Sequence, residues 1–221
     1  MQLSLTQACS SGSLLLLLVS NMLLWENVVT LPQVQLSTKD LYDRLVVQSH
    51  DSHDLALQLY SEFTQKFMKM SWLREREPVP CHTASIPTPD SREQVHNTTT
   101  EDILNVTIST LHAWKDALKN LVPAMAILKG ASDAMLSRVK GVQRKIEILL
   151  EGMKAILRKE YPGTEEGAYP AWTGQADLKS PNEDTRHFAL FNVIRCLSRD
   201  THRADNYLKV LRCREIFNNK C

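Results

Sequence analysis

Residues 100–159 read TEDILNVTISTLHAWKDALKNLVPAMAILKGASDAMLSRVKGVQRKIEILLEGMKAILRK, and the fold turns on this stretch. Ile103, Leu104, Ile108, Leu111, Trp114, Leu118 and Leu121 recur at three- and four-residue intervals, the period of one helix face. Pro123 kinks or ends that helix, and Gly130 marks a short break. Helical spacing then resumes over 132–159, with Val139, Val142, Ile146, Leu149, Leu150, Met153 and Leu157 along one side. A helix of about 30 residues is ~45 Å long. Extended chain covers at most ~3.3 Å per residue, so a connection this short cannot run back along it. The two helices must be antiparallel neighbours.

Upstream, Pro78, Pro80, Pro87 and Pro89 turn residues 70–99 into a long connection. Before it, Leu41, Leu45, Leu55, Leu59, Phe63 and Phe67 mark a helix over 38–69, with Ser37 or Thr38 placed to cap it. Downstream, Pro162, Gly163, Gly167, Pro170, Gly174 and Pro181 make 161–182 a second long connection. A last helix follows over about 184–214. Each long connection can span a whole helix. The order long, short, long predicts an all-α, up-up-down-down four-helix bundle of the long-chain kind, with two crossover loops. No segment alternates with a period of two, and no repeat is visible.

The 221 residues, 43% of them hydrophobic, suffice for one sizeable core or two small ones. A net charge of +1 gives no basic field, which argues against a nucleic-acid partner. Residues 1–30 differ from the rest: Leu14 to Val19 is solidly apolar, Met22 to Trp25 continues it, and no charged side chain precedes Glu26. That pattern predicts a signal peptide over 1–30, a mature domain over 31–221 and secretion, although the leader carries no Lys or Arg near its start. No other segment reaches the ~18 apolar residues of a membrane span, so no membrane insertion is expected. Of five cysteines, Cys9 would leave with the leader. Cys81, Cys196, Cys213 and Cys221 permit three pairings. Cys213 and Cys221 lie close enough to close a small loop, which would leave Cys81 with Cys196. No C-x2-C pair suggests a structural zinc site instead. The sequons Asn97-Thr98-Thr99 and Asn105-Val106-Thr107 suit a secreted glycoprotein, provided Asn105 faces outward on its helix. No G-x-S-x-G, H-E-x-x-H or P-loop spacing occurs, and the clustered histidines lie on a helix face rather than in a cleft. An enzyme is therefore not expected.

Longer motifs carry a resemblance. The first connection holds Cys81-His82-Thr83-Ala84-Ser85-Ile86-Pro87-Thr88-Pro89, and the third helix holds Leu149-Leu150-Glu151-Gly152-Met153. The fourth helix ends Arg199-Asp200-Thr201-His202-Arg203-Ala204-Asp205-Asn206-Tyr207-Leu208-Lys209-Val210-Leu211-Arg212-Cys213, and the tail closes Asn218-Asn219-Lys220-Cys221. Over essentially its whole length the chain resembles the prolactin and growth hormone family. Ser180-Pro181-Asn182-Glu183-Asp184-Thr185, Tyr169-Pro170-Ala171-Trp172 and the leader segment Leu24-Trp25-Glu26-Asn27-Val28 make it most similar to the placental lactogens. No cysteine lies between Leu31 and Val79, unlike prolactin but like placental lactogens. The resemblance implies disulfides Cys81–Cys196 and Cys213–Cys221. It implies a monomeric lactogenic hormone of pregnancy that grips two prolactin receptor ectodomains through two faces, activating a receptor-associated Janus kinase. A different receptor is the alternative.

Helix geometry marks a face by itself. At ~100° per residue, Val46, His50 and His53 point away from the leucines of the first helix. On the fourth, Val193, Leu197, Ala204, Leu208 and Leu211 form the buried stripe, while Phe191, Arg195, Asp205 and Lys209 fall within ~60° of His202. Phe188 and Phe191 are thereby expected on the outer side, unless the long connections cover them. The resemblance implies a first receptor site at Val46, His50, His53, Phe191, Arg199, His202, Arg203, Asp205, Tyr207 and Lys209. It implies a second at Gly152, whose missing side chain would open a notch. His50 and His53, three apart on a helix, could with Asp205 hold zinc at the receptor interface; no other cofactor is expected.

Overall fold

The computed structural model describes residues 37–69 and 75–220. The expected leader, residues 1–30, lies outside the described residues, as do 31–36, 70–74 and Cys221. Four long helices carry the fold: α1 (Thr38–Phe67), α3 (Thr100–Ala126), α4 (Asp133–Glu160) and α6 (Glu183–Phe217). The crossovers hold short elements that periodicity did not reveal: a 3-10 turn (His82–Ser85), α2 (Arg92–Asn97) and α5 (Gln175–Leu178). Side-chain caps fix each long helix start. Ser37, Thr99, Ser132 and Asn182 accept from the backbone N–H three residues on, each satisfying an otherwise orphaned donor. Pro123 sits in the last turn of α3, which continues to Ala126, because a proline there forfeits a single ladder bond. The break follows at Gly130, whose φ of +88° lies in the left-handed region that favours glycine.

Register pairs give the topology. Along α1 and α6, Asp43 meets Arg212, Ser49 meets Asp205, His53 meets His202, and Tyr60 meets Phe191. Along α1 and α4, Thr38 meets Glu160, Asp51 meets Lys145, and Glu62 meets Arg138. Both α4 and α6 thus run antiparallel to α1, and α3 packs between them on the other side. This is the up-up-down-down bundle. Its core is lined by Leu45, Leu59, Phe63, Leu104, Leu111, Trp114, Leu118, Ile146, Leu149, Leu197 and Leu208.

The predicted core needs some correction. Leu41, Leu55, Phe67 and Val193 are only partly buried. Tyr42, Ser49, Ser52 and Ala56 fill α1's inner face beside Leu45 and Leu59. Ser49 faces α6 there and donates its Oγ–H to Asp205.

The first crossover is tied along α6. Asn192 Oδ1 accepts from the Val79 N–H at 3.0 Å, and the Cys81–Cys196 disulfide follows one turn on. The Tyr207 hydroxyl donates to the Pro89 carbonyl at 2.6 Å, and Arg214 donates to the carbonyls of Val95 and Thr98. The disulfide matches the expected long bridge. Cys213 is also disulfide-bonded; its expected partner, Cys221, lies outside the described residues.

Candidate receptor-binding face

Three histidines meet at the open edge between α1 and α6. His50 and His53 share a face of α1 because they are three residues apart, and His202 comes from α6. His202 Nδ1 lies 3.3 Å from His53 Nε2, and the rings are tilted with centroids 4.7 Å apart. Asn206, one turn beyond His202, brings its Nδ2 to 3.1 Å from His202 Nε2. One tautomer set satisfies both contacts: Asn206 donates to His202 Nε2, and His202 Nδ1–H donates to His53 Nε2. The proton of His53 then sits on Nδ1, which is buried without a partner. Burial foremost, and the neighbouring His202 next, hold the His53 pKa below the usual imidazole value.

Behind the histidines lies Asp205. Its side chain is only 3% exposed, while that of His50 is 55% exposed. Ser49 Oγ donates to Asp205 Oδ1 at 3.1 Å, and Lys209 Nζ donates to Oδ2 at 2.6 Å. His50 Nδ1 stands 3.6 Å from Oδ2, close enough for an ion pair whenever His50 is protonated. Asp205 therefore places a buried carboxylate behind His50, held by Ser49 and Lys209. The outward position expected for it on the wheel is corrected, because α1 closes over that side of α6.

Phe191 is likewise corrected. It is 8% exposed and packs against Tyr60 of α1, with ring centroids 6.1 Å apart. It shares the azimuth of His202 but sits three turns away, where the α1–α6 seam is closed. Phe188 is partly covered, with the Arg76 guanidinium 5.0 Å from its ring. Tyr207 is buried too, its hydroxyl spent on Pro89. Arg203 pairs with Asp90, so it presents a crossover-anchored cation. Val46 is half-buried between the histidines and the core. The structure thus brings His50, His53, His202, Arg203 and Lys209 to one surface and sets Asp205, Phe191 and Tyr207 beneath it.

Arg199 belongs to a second buried centre that the sequence reading missed. Asp200, fully buried, accepts from Trp114 Nε1 at 2.9 Å, from Thr83 Oγ1 at 2.6 Å and from Arg199 Nε at 2.8 Å. One carboxylate thereby joins α3, α6 and the first crossover. The signal was present: a tryptophan at core spacing needs a partner for its N–H. Asn206 was likewise legible as the i+4 neighbour of His202.

Gly152 lies on the other seam, where α4 meets α1. A Cβ there would stand 2.6 Å from Leu45 Cδ2, and one on Gly141 would stand 2.8 Å from Leu55 Cδ1. The expected notch is thus already occupied from α1. Ile148, one turn before Gly152 on α4, remains 53% exposed. Among the described residues, no group of three or more His, Cys, Asp or Glu is arranged to hold a metal ion. Of the sequons, Asn97 is exposed at the end of α2, whereas Asn105 is half-buried and hydrogen-bonded.

Comparison with known proteins decides the family. The profile of the somatotropin hormone family matches residues 17–221. The chain belongs to that family. It is 51% identical to prolactin-3B1 of Mesocricetus auratus over 221 residues, covering 100% of both chains. It is 49% identical to prolactin-3B1 of Mus musculus and 47% identical to prolactin-3D4 of Rattus norvegicus, again over 100% of each. Somatotropin-family proteins are secreted hormones that act on cytokine-type receptors, and they are not enzymes. Among the described residues, no helix is long and apolar enough to cross a membrane.

Proposed function

We propose that the chain is a secreted lactogenic hormone of pregnancy that binds and dimerises the prolactin receptor through two faces, activating a Janus kinase. The observation that carries this reading is the strip of His50, His53 and His202, held together across α1 and α6 over a buried Asp205. An interface needs a prearranged surface whose side chains are already fixed, since ordering them on binding costs affinity. Arg203 and Lys209 at the margins would supply steering and register.

Immobilised prolactin receptor ectodomain tests the reading by surface plasmon resonance. Saturable binding is expected, weakened at least about tenfold by His53→Ala, since a central interface side chain is worth upwards of ~1.4 kcal/mol. Absence of binding by the folded wild-type chain would favour the alternative, a placental prolactin-like cytokine with another receptor.

The second face is proposed at the α1–α4 seam around Gly152, where exposed Ile148, one turn before it, offers apolar contact. Gly152→Arg is expected to retain first-receptor binding but to lose signalling in receptor-bearing cells. Zinc is proposed only as an interfacial ion on His50, His53 and Asp205. Its ligation would require Lys209 to release Asp205, and zinc sites of this kind take four ligands, so the receptor would supply a donor. Unchanged affinity in the presence of a chelator would retire the zinc.

A further inference from the structure

The second crossover is strapped onto α3, and its buckle is Asn105. Asn105 Nδ2 donates to the Glu165 carbonyl at 3.1 Å, and Asn105 Oδ1 accepts from the Gly167 N–H at 2.8 Å. These backbone groups flank a single residue, Glu166, so one planar carboxamide grips one edge of the crossover backbone at two points. The neighbouring contacts set the same register. Thr164 Oγ1 donates to Glu101 at 2.5 Å, Glu166 pairs with Lys154 at 2.7 Å, and Tyr169 stacks on His112 with centroids 4.2 Å apart. Gly167 is required there, because a Cβ would stand 2.6 Å from Ser109 Oγ.

Asn105 is also the acceptor of the Asn105-Val106-Thr107 sequon. N-glycosylation bonds Asn105 Nδ2 to the anomeric carbon of an oligosaccharide carried on a polyprenyl diphosphate. The diphosphate leaves with the electrons of the broken C–O bond, and Nδ2 loses one proton. The product is a secondary amide, which strongly prefers trans geometry, so the sugar lies opposite Cβ and on the same side as Oδ1. A two-point carboxamide grip uses the Nδ2–H on that same side. The remaining N–H points away from the strap, and the sugar occupies the space of Glu165 and Gly167.

We propose that Asn105 is an either/or site: its carboxamide clamps the second crossover in the unmodified chain, and a glycan on it excludes the clamp. Asn97, exposed on α2, carries no such conflict. Glycosylated and unmodified chains would then share the bundle but differ in the packing of residues 164–169.

The test uses full-length protein secreted from cultured mammalian cells, with Asn105 occupancy read by glycopeptide mass spectrometry and the Gly167 amide read by hydrogen exchange. Thr107→Val removes the sequon and keeps the clamp; should it not be secreted, unglycosylated wild-type chain refolded from bacteria replaces it. The Gly167 amide is expected to exchange at least about tenfold faster in Asn105→Ala than in Thr107→Val, since it loses its acceptor. Any glycoform occupied at Asn105 should match the fast rate, and a wild-type chain with Asn105 bare should match the slow one. An occupied glycoform with the slow rate would overturn the proposal, as would equal rates in Asn105→Ala and Thr107→Val.

Discussion

Single residues at two places carry more of this molecule than their exposure suggests. Asp200 is sealed from solvent and satisfied by Trp114, Thr83 and Arg199. Removing its side chain takes the carboxylate from Arg199 and leaves the buried Trp114 indole N–H without an acceptor. Asp200→Ala is expected to lower the unfolding free energy by about 3 kcal/mol, within the range for breaking a buried ion pair. Chemical denaturation followed by circular dichroism checks it, and a loss under about 1 kcal/mol would contradict the hub. Gly152 is the second place. Alanine would gain about 1 kcal/mol of helix propensity, but overpacking against Leu45 costs about 1–3 kcal/mol. Gly152→Ala is therefore expected to lose about 1 kcal/mol net, and equal or greater stability would show that Leu45 yields freely.

At the scale of elements, the four long helices were legible because each buries one stripe at a constant period and begins at a side-chain cap. Their connections were legible only as lengths. The 3-10 turn, α2 and α5 are too short for periodicity, and what holds the first crossover down α6 is mostly backbone carbonyls taken by Tyr207, Arg195 and Arg214. The covalent part of that attachment is Cys81–Cys196, which spans 115 residues. Replacing both cysteines by serine is expected to cost about 4–5 kcal/mol on the chain-entropy model, read as a lowered denaturation midpoint. Three packed elements also share a pH response. His53 at the α1–α6 seam, His82 on the 3-10 turn and His112 under the second crossover all have pKa values held below the usual imidazole value, each chiefly by burial. The unfolded chain then binds more protons than the native one below about pH 6.5. Stability should be full above that pH, fall as the pH drops toward the folded pKa values, and level off beneath them. Denaturation between pH 5 and 8 checks the sign, and a rise in stability on acidification would contradict it.

On the scale of the whole molecule, the α1–α6 edge is where the bundle's geometry and the proposed function meet. The helical wheel identified the edge, since His50, His53 and His202 do converge there. It misjudged depth, because azimuth on one helix says nothing about a neighbour closing over it. Phe191 and Asp205 share the outward sector of α6, yet Tyr60 covers one and Ser49 the other. A sequence shows which side of a helix is polar; which part of that side stays open depends on how two helices diverge along their length. The account's central claim is that the open histidine strip is the primary receptor contact. The most direct measurement is the affinity of His53→Ala, against wild type, for the purified prolactin receptor ectodomain, with circular dichroism to confirm equal folding. A loss of about tenfold or more is predicted; full affinity in a folded His53→Ala chain would contradict the claim.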